Sequence, residues 1–356
     1  MIWLTWRQFR AAGVTMAAAL AALAVILAVT GPGLADDYST GIAACTSQGG
    51  DCSDFVARFF QDHRNTGLAV TSVVLVLPAL IGIFWGAPLI ARELDAGTHR
   101  LVWSQSVTRT RWLAVKLGLV GLAAVAVAGL GTFAVDWWSN PIDKAAAAAD
   151  NVSRIEPLLF GARGITPMGY AAFAFALGVT LGMLIRRTIP AMALTLAIFV
   201  GLQVAVPELV RPHLITPTRA TVEITPSNVE KFIFLGHDGP LEVGAQAAEK
   251  GAWVLSSHTV DASGRAVDTI TGHPSLSPTS GPCAPPKNPP AQQAEGPGED
   301  LAPCLAELTR LGYRQQVTYQ PAGHFWPLQW RETAIYTALA LALSGFCFWW
   351  LRRRVS

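Results

Sequence analysis

Long apolar runs alternate with polar segments along the chain, and the runs are the first feature that predicts structure. A helix needs about 20 mainly apolar residues to cross a bilayer. Six runs have that length: 11–31, 67–90, 113–135, 168–185, 189–207 and 333–351. The pattern predicts an α-helical polytopic membrane protein with six transmembrane helices. Only Arg186–Thr188 separate the fourth and fifth runs, which predicts a tight helical hairpin.

Besides the loop between spans two and three, three polar segments are longer than a turn: 32–66, 136–167 and 208–332. In the third, the stretches TVEIT, KFIFLG, AWVLSSHTV and AVDTI are rich in the β-branched and aromatic residues typical of strands. A Pro-rich stretch follows from 273 to 303, and LAELTRLGY then has a short helical pattern. We therefore expect a β-containing domain at 208–332, between spans five and six.

Charge is distributed unevenly between the polar segments. Of the 356 residues, 51% are hydrophobic and only 14% are charged, which is less than the roughly 25% of soluble domains. Segments 1–10, 91–116, 186–188 and 352–356 together carry twelve Arg and Lys residues but only two acidic ones. Positive residues favour the cytoplasmic side. This predicts cytoplasmic N- and C-termini in a plasma membrane, with 208–332 extracellular.

The first ten residues, MIWLTWRQFR, are themselves amphipathic. Ile2, Trp6 and Phe9 fall on one helical face, which predicts an interfacial helix over 1–10. A signal peptide is the alternative, but the run that follows is longer than a usual h-region. We therefore expect four parts along the chain. The interfacial helix over 1–10 is followed by spans one to five over 11–207, with a polar loop at 91–112. The domain at 208–332 comes next, and span six with a basic tail covers 333–356.

Four of the five cysteines fall in predicted extracellular segments. Cys45 and Cys52 share one segment, and Cys283 and Cys304 share another, whereas Cys347 lies in the last span. Paired cysteines on the oxidising side predict disulfides Cys45–Cys52 and Cys283–Cys304. Cross-pairing and free thiols remain alternatives at the level of sequence.

The sequence has few candidates for catalysis or metal binding. No G-x-x-x-x-G-K-[ST] loop is present to bind nucleotide phosphates. The histidines of segment 208–332 are scattered without metal-ligand spacing. No predicted span carries an acid or base at mid-depth, as a proton relay would require. We therefore expect no metal, no cofactor and no catalytic residue in this chain, and no nucleic-acid partner.

The loop between spans two and three is dense in polar residues. In ARELDAGTHRLV, a helix can continue from span two, Gly97 suits its C-terminal cap, and Thr98 can start the next element. Positive-inside arginines explain the charge, but not the order of helix, Gly-Thr and apolar residues. That order favours docking to another protein.

At this loop the chain resembles the permease subunits of ABC-2-type transporters, in particular actinobacterial ones. The resemblance rests on the pattern Arg-Glu-x-x-x-Gly-Thr after span two and Thr-Arg-x-x-Trp-x-x-x-Lys at the start of span three. Its positions here are Arg92, Glu93, Gly97, Thr98, Thr108, Arg109, Trp112 and Lys116. It covers the membrane portion, whereas segment 208–332 is longer than is usual in that family.

The resemblance implies that this loop contains a coupling helix, which docks into a separate ATPase subunit. Glu93 and Arg100 would be the main charged contacts, and Leu101 and Val102 the main apolar ones. The helix with Ile2, Trp6 and Phe9 would touch or support the same partner. The full docking set comprises Arg92, Glu93, Asp95, Gly97, Thr98, His99, Arg100, Leu101 and Val102. ATP and Mg would be bound by the ATPase, present in two copies, and the permease would form a dimer, most simply a homodimer.

The resulting hypothesis is that this chain is the permease subunit of an ABC exporter. Its substrate would be an amphipathic or hydrophobic compound, such as a drug or antibiotic, a peptide or a lipid, as in multidrug efflux. The chain itself would not be an enzyme. Two alternatives remain. One is an ABC-type sensor or mechanotransmission protein that acts through segment 208–332, and the other is a membrane-anchored enzyme.

Overall fold

A computed structural model describes residues 2–49, 51–95, 108–148, 153–226, 228–234, 241–245, 249, 251–277, 279–284 and 301–354. The chain divides into two compact units. We call residues 1–214 with 325–356 the helical unit, and residues 215–324 the inserted unit, because it interrupts the helical unit in sequence.

In the described part of the chain, six helices are long and apolar enough to cross a membrane, which confirms the number expected from the apolar runs. They are α1 (Ile2–Ser47), α2 (Ser53–Leu80) with its continuation α3 (Ala87–Asp95), α4 (Arg109–Ala148), α6 (Thr166–Ile185), α7 (Thr188–Leu209) and α10 (Phe325–Arg354). Two shorter helices, α5 (Pro157–Ala162) and α8 (Arg211–Leu214), lie in the connections.

Three of these helices are much longer than their apolar runs. Helix α1 has 46 residues, the segment from α2 to α3 has 43, and α4 has 40. At 1.5 Å per residue they measure roughly 60–70 Å, about twice the hydrocarbon thickness of a bilayer. Residues 2–10 form the start of α1 without a break, so the expected interfacial helix and span one are one continuous helix.

The extra length forms a helical hairpin where the sequence suggested loops. Segment 32–66 is mostly helix because apolar residues continue at i, i+3 and i+4 spacing beyond the runs. Residues of α1, α2 and α4 share one apolar core there, which includes Leu34, Phe59, Trp138 and Ile142. A Cys45–Cys52 disulfide closes the tip of the hairpin.

Helix α6 lies at the centre of the helical unit and packs against α2, α3, α4, α7 and α10. A π-helical segment, Ile81–Gly86, joins α2 to α3 and approaches α6 through glycine. A Cβ on Gly86 would lie 2.6 Å from the carbonyl oxygen of Phe175, and one on Gly178 would overlap the carbonyl oxygen of Gly82. Small residues permit this close backbone approach, as the spacing of Ala174, Gly178 and Gly182 suggests.

The inserted unit contains two antiparallel sheets and a helix. The larger sheet has the strand order β1 (Thr218–Val222), β6 (Arg314–Gln320), β4 (Trp253–Val260), β5 (Ala266–Val267), and β2 (Val229–Phe234) pairs with β3 (Leu241–Ala245). Helix α9 (Ala302–Arg310) packs on an apolar core with Leu241, Leu276 and Leu308. A disulfide joins Cys283 to Cys304.

The boundaries of the inserted unit differ from the expected 208–332. Residues 208–214 belong to the helical unit, and α10 begins at Phe325 rather than at 333. The first turns of α10 are polar in sequence, but Gln329 and Glu332 are fully buried by partners within the helical unit. Polar composition placed these residues in the wrong segment because it does not reveal that they have buried partners.

Candidate functional site

Helix α3 carries the first part of the sequence-predicted docking segment. Its residues Ala87, Ile90 and Ala91 are buried, and it packs against α6 and α7. A Cβ on Gly182 of α6 would overlap the carbonyl oxygen of Ala87, so the two backbones are in direct contact. The end of α3 is therefore fixed to the centre of the helical unit.

The three described docking residues differ sharply in exposure. Arg92 and Asp95 are exposed, whereas Glu93 is only 9% exposed and accepts a hydrogen bond from the Lys116 ammonium group. Lys116 is 2% exposed and lies 4.9 Å from the centroid of the Trp112 ring. Glu93 thus joins α3 to α4, and Arg92 and Asp95 are the charged groups open to a partner.

The rest of the predicted docking set lies outside the described residues. This applies to Gly97, Thr98, His99, Arg100, Leu101 and Val102. The backbone that carries Ile2, Trp6 and Phe9 is helical, but their side chains are also outside the described part. Their contact with an ATPase stays a prediction.

A second polar site joins the two chain segments that flank the inserted unit. Arg211 donates from Nε to Glu332 Oε2 at 2.8 Å and from Nη2 to Glu332 Oε1 at 3.0 Å. Tyr170 Oη donates to Glu332 Oε1 at 2.5 Å, and the Arg211 guanidinium carbon lies 4.1 Å from the centroid of the Phe160 ring. Arg331 also donates to the carbonyl oxygen of Leu214. The two flanking segments are therefore bound to each other and to α6.

Gln329 extends this network from α10 to the start of α6. Its Oε1 accepts from the backbone N–H groups of Ile165 (3.0 Å) and Thr166 (2.9 Å), and from Thr166 Oγ1 (2.5 Å). Its Nε2 donates to the carbonyl oxygens of Phe160 and Arg163. This amide satisfies backbone groups at the end of α5 and in the turn that leads into α6.

Arg163 forms the other side of the network. Its Nε donates to Asp143 Oδ2 at 3.1 Å and lies 3.6 Å from Asp136 Oδ1. The Gly164 backbone N–H donates to Asp136 Oδ2 at 3.1 Å. Two carboxylates of α4 therefore hold the segment that leads into α6.

Sequence reasoning did not find Arg211, Glu332 or Gln329 as partners. All three flank predicted spans, where a charged or amide residue ordinarily marks the end of a helix. The only signal available was their position near the two ends of segment 208–332, and it does not specify pairing. The charged pair Glu93 and Lys116 was visible in the loop pattern, but not as an ion pair.

Comparison with known families decides the assignment, because residues 17–211 match the family described as ABC-2 membrane transporter related. The match covers more than half of the chain. The chain belongs to this family. The matched region includes α3 with Arg92, Glu93 and Asp95, and it ends just before the inserted unit. No curated protein and no solved structure matches the chain.

For this ABC-2 family member, the six apolar helices establish a multi-pass membrane protein. Permeases of this family work with an ATPase partner in general and are typically not enzymes themselves. Among the described residues, no group of three or more His, Cys, Asp or Glu side chains could hold a metal ion. The contacts of α3 with α4 and α6 join three helices of the helical unit.

Proposed function

We propose that this ABC-2 family member is the membrane-spanning permease subunit of an ATP-driven exporter for an amphipathic or hydrophobic substrate. The observation that carries the proposal is the end of α3, where exposed Arg92 and Asp95 follow a helix that is fixed to α6. A separate ATPase subunit would bind ATP and Mg and dock at α3 and the loop that follows it.

The contacts of α3 suit it to transmit force. The Glu93–Lys116 ion pair links it to α4, and the Gly182–Ala87 contact links it to α6. Movement imposed on α3 by nucleotide binding would therefore shift packed helices instead of bending a loop. Two permease chains, with the transport path between them, and two ATPases would complete the assembly.

In this proposal the end with α3 faces the cytoplasm and the inserted unit is extracellular. The support is the excess of Arg and Lys in segments 1–10, 91–116, 186–188 and 352–356. The two disulfides, Cys45–Cys52 and Cys283–Cys304, suit the oxidising side of the membrane.

The docking proposal is tested by charge reversal at the two exposed residues. Co-purification with an ATPase encoded beside this chain would compare wild type with Arg92→Glu/Asp95→Arg. The matched control is Asp62→Arg/Arg64→Glu, which reverses two exposed charges on α2 in the hairpin. We expect loss of ATPase in the first variant only. Equal retention in all three proteins would contradict docking at α3.

A second function, mechanotransmission, is favoured by the length of α1, α2 and α4 and by the bonds between the segments that flank the inserted unit. Helices about twice the bilayer thickness can carry movement beyond the membrane. ATP-dependent flux of a hydrophobic dye into inverted vesicles separates the two functions. Flux that requires the ATPase supports the exporter. A conformational change of the inserted unit that requires the ATPase, without dye flux, supports mechanotransmission.

A further inference from the structure

Four helices of the helical unit converge at one end. Ile90 of α3, Trp112 of α4, Met183 of α6 and Leu351 of α10 belong to one buried apolar cluster. About one helical turn before Met183 and Leu351, Thr180 of α6 contacts the Cys347 sulfur of α10 at 3.3 Å. The residues that follow Met183 and Leu351 along the chain therefore lie at the same end of the unit.

This end is strongly basic. Its exposed arginines are Arg92, Arg109, Arg111, Arg186, Arg187, Arg352 and Arg353. Glu93 is occupied by Lys116, so Asp95 is the only exposed acid among the described residues of segments 91–116, 186–188 and 352–356. The undescribed residues 96–107 and 355–356 contain no acidic residue in sequence. The excess positive charge is therefore not neutralised from within these segments.

Four of these arginines lie next to exposed apolar side chains at the ends of helices that are long and apolar enough to cross a membrane. Arg186 and Arg187 occupy the turn between α6 and α7, flanked by Leu184 (39% exposed) and Ile189 (80% exposed). Arg352 and Arg353 end α10, where the Arg353 guanidinium carbon lies 5.6 Å from the centroid of the Trp349 ring.

Trp349 is 46% exposed, and tryptophan prefers the headgroup layer of a membrane. In the part of the chain that is described, no acidic side chain forms an ion pair with Arg186, Arg187, Arg352 or Arg353. Arginines beside exposed Leu, Ile and Trp side chains at the end of an apolar helix suit the level of lipid headgroups.

We propose that Arg186, Arg187, Arg352 and Arg353, with Trp349, form a binding site for the headgroup of an anionic phospholipid. Guanidinium groups bind phosphate oxygens through paired hydrogen bonds, and basic pockets between membrane helices suit such headgroups. A bound lipid would bridge the ends of α6 and α10. The site does not depend on an ATPase or on the exported substrate.

The test measures lipid selectivity of the purified full chain in mild detergent. The protein is equilibrated with mixed micelles of equal phosphatidylglycerol and phosphatidylcholine, and the ratio of bound lipids is determined by mass spectrometry after gel filtration. We expect wild type to enrich phosphatidylglycerol. Arg186→Gln/Arg187→Gln and Arg352→Gln/Arg353→Gln should each lose at least about five-fold of this enrichment, since each arginine near an anionic surface contributes roughly a factor of five.

Arg58→Gln/Arg64→Gln is the matched control, because it removes two exposed arginines from α2 in the hairpin. It should keep the wild-type ratio. No enrichment in wild type, or an equal loss in the control, overturns the proposal. Displacement of phosphatidylglycerol by millimolar inorganic phosphate also overturns it, because the site would then bind a free anion.

Two further measurements keep the test decisive if a glutamine variant does not fold. Arg186→Lys/Arg187→Lys preserves the charge but not the paired hydrogen bonds, so it should keep more enrichment than Arg186→Gln/Arg187→Gln and less than wild type. Enrichment by wild type should fall in 1 M salt, where the screening length is about 3 Å. Salt-independent enrichment, or a lysine variant that loses all selectivity, contradicts the proposal.

Discussion

At the scale of single residues, Glu332 shows how strongly the environment determines a role. It is fully buried, accepts from Arg211 and Tyr170, and lies on the opposite side of the inserted unit in sequence from Arg211. A buried charge that loses its partner retains the cost of leaving water. Removing either Arg211 or Glu332 would therefore leave an unpaired buried charge, which would destabilise the helical unit.

Glu332→Gln should destabilise the helical unit by about 3–5 kcal/mol, the usual effect of breaking a buried pair. Thermal unfolding of the full chain in detergent measures this as a lower midpoint. Glu208→Gln is the control, since Glu208 is exposed near the end of α7 and should change little. A midpoint for Glu332→Gln equal to that of the control would show that the pair is not formed.

Lys116→Met should likewise lower the unfolding midpoint, and it should also weaken the attachment of α3 to α4. Lys144→Met makes the same change at an exposed position of the same helix and should be nearly neutral. The double variant Glu93→Gln/Lys116→Met should lose less unfolding free energy than the sum of the losses in the two single variants, because the two residues form one ion pair. Additive effects in this double-mutant cycle would contradict the ion pair.

At the scale of elements, the contact between α6 and the π-helical segment depends on glycine. Gly178→Ala should destabilise the helical unit, because its Cβ would overlap the Gly82 carbonyl oxygen and lie 2.7 Å from the Ala87 nitrogen, and these backbone atoms cannot rotate away as a side chain could. Gly118→Ala in α4 has no atom within 4 Å of its Cβ and should be neutral or slightly stabilising. Equal unfolding midpoints for the two variants would mean that α6 does not pack this closely.

Helix α9 of the inserted unit offers a test by pH. Hydrogen bonds from Arg310 and then from Ser275 hold the pKa of Glu307 at about 2, below its ordinary value of 4.5. Ionised Glu307 therefore stabilises the folded unit above pH 4.5, and this contribution disappears as the pH falls towards 2.

Arg310→Gln should therefore lower the unfolding midpoint of the inserted unit slightly at pH 7, and the difference from wild type should vanish near pH 2. Melting curves by circular dichroism at pH 2, 3, 4.5 and 7 provide the measurement. Arg219→Gln, at an exposed position of β1, should show no such trend. A difference for Arg310→Gln that persists unchanged at pH 2 would exclude this role of Glu307.

At the scale of the whole molecule, the inserted unit is a separable part of the chain. It forms its own compact unit, the family match ends before it, and Gln320 Nε2 near its end donates to the Ile215 carbonyl oxygen at its start. Its two connections therefore begin close together. The residues that flank it are held together within the helical unit by Arg211 and Glu332.

Replacing residues 216–323 by a short Gly/Ser linker should leave the helical unit folded, because its own contacts close the gap. Gel filtration and thermal unfolding of the shortened chain test this, and dye flux shows whether the inserted unit takes part in transport. Unchanged flux would rule out a role of the unit at the exit. Aggregation of the shortened chain, with wild type stable, would contradict its independence.

The sequence by itself determined the six membrane helices and the β-containing insertion, and it predicted the two cysteine pairs that the structure joins while leaving cross-pairing open. These features depend on the length of an apolar run, on strand propensity and on proximity along the chain, all of which are local. The resemblance carried by Arg92, Glu93 and Lys116 also led to the correct family.

Only the tertiary structure decided the partners of the charged residues and the true length of α1, α2 and α4. The fold pairs Glu93 with Lys116, which the loop pattern did not predict, and its contact with an ATPase stays a prediction. Glu332 looked like part of a polar domain, and the fold buries it against Arg211. The physical reason is that burying a charge, or extending a helix past its apolar run, depends on which neighbouring helices supply the opposite charge or the apolar face. Those neighbours are distant in sequence.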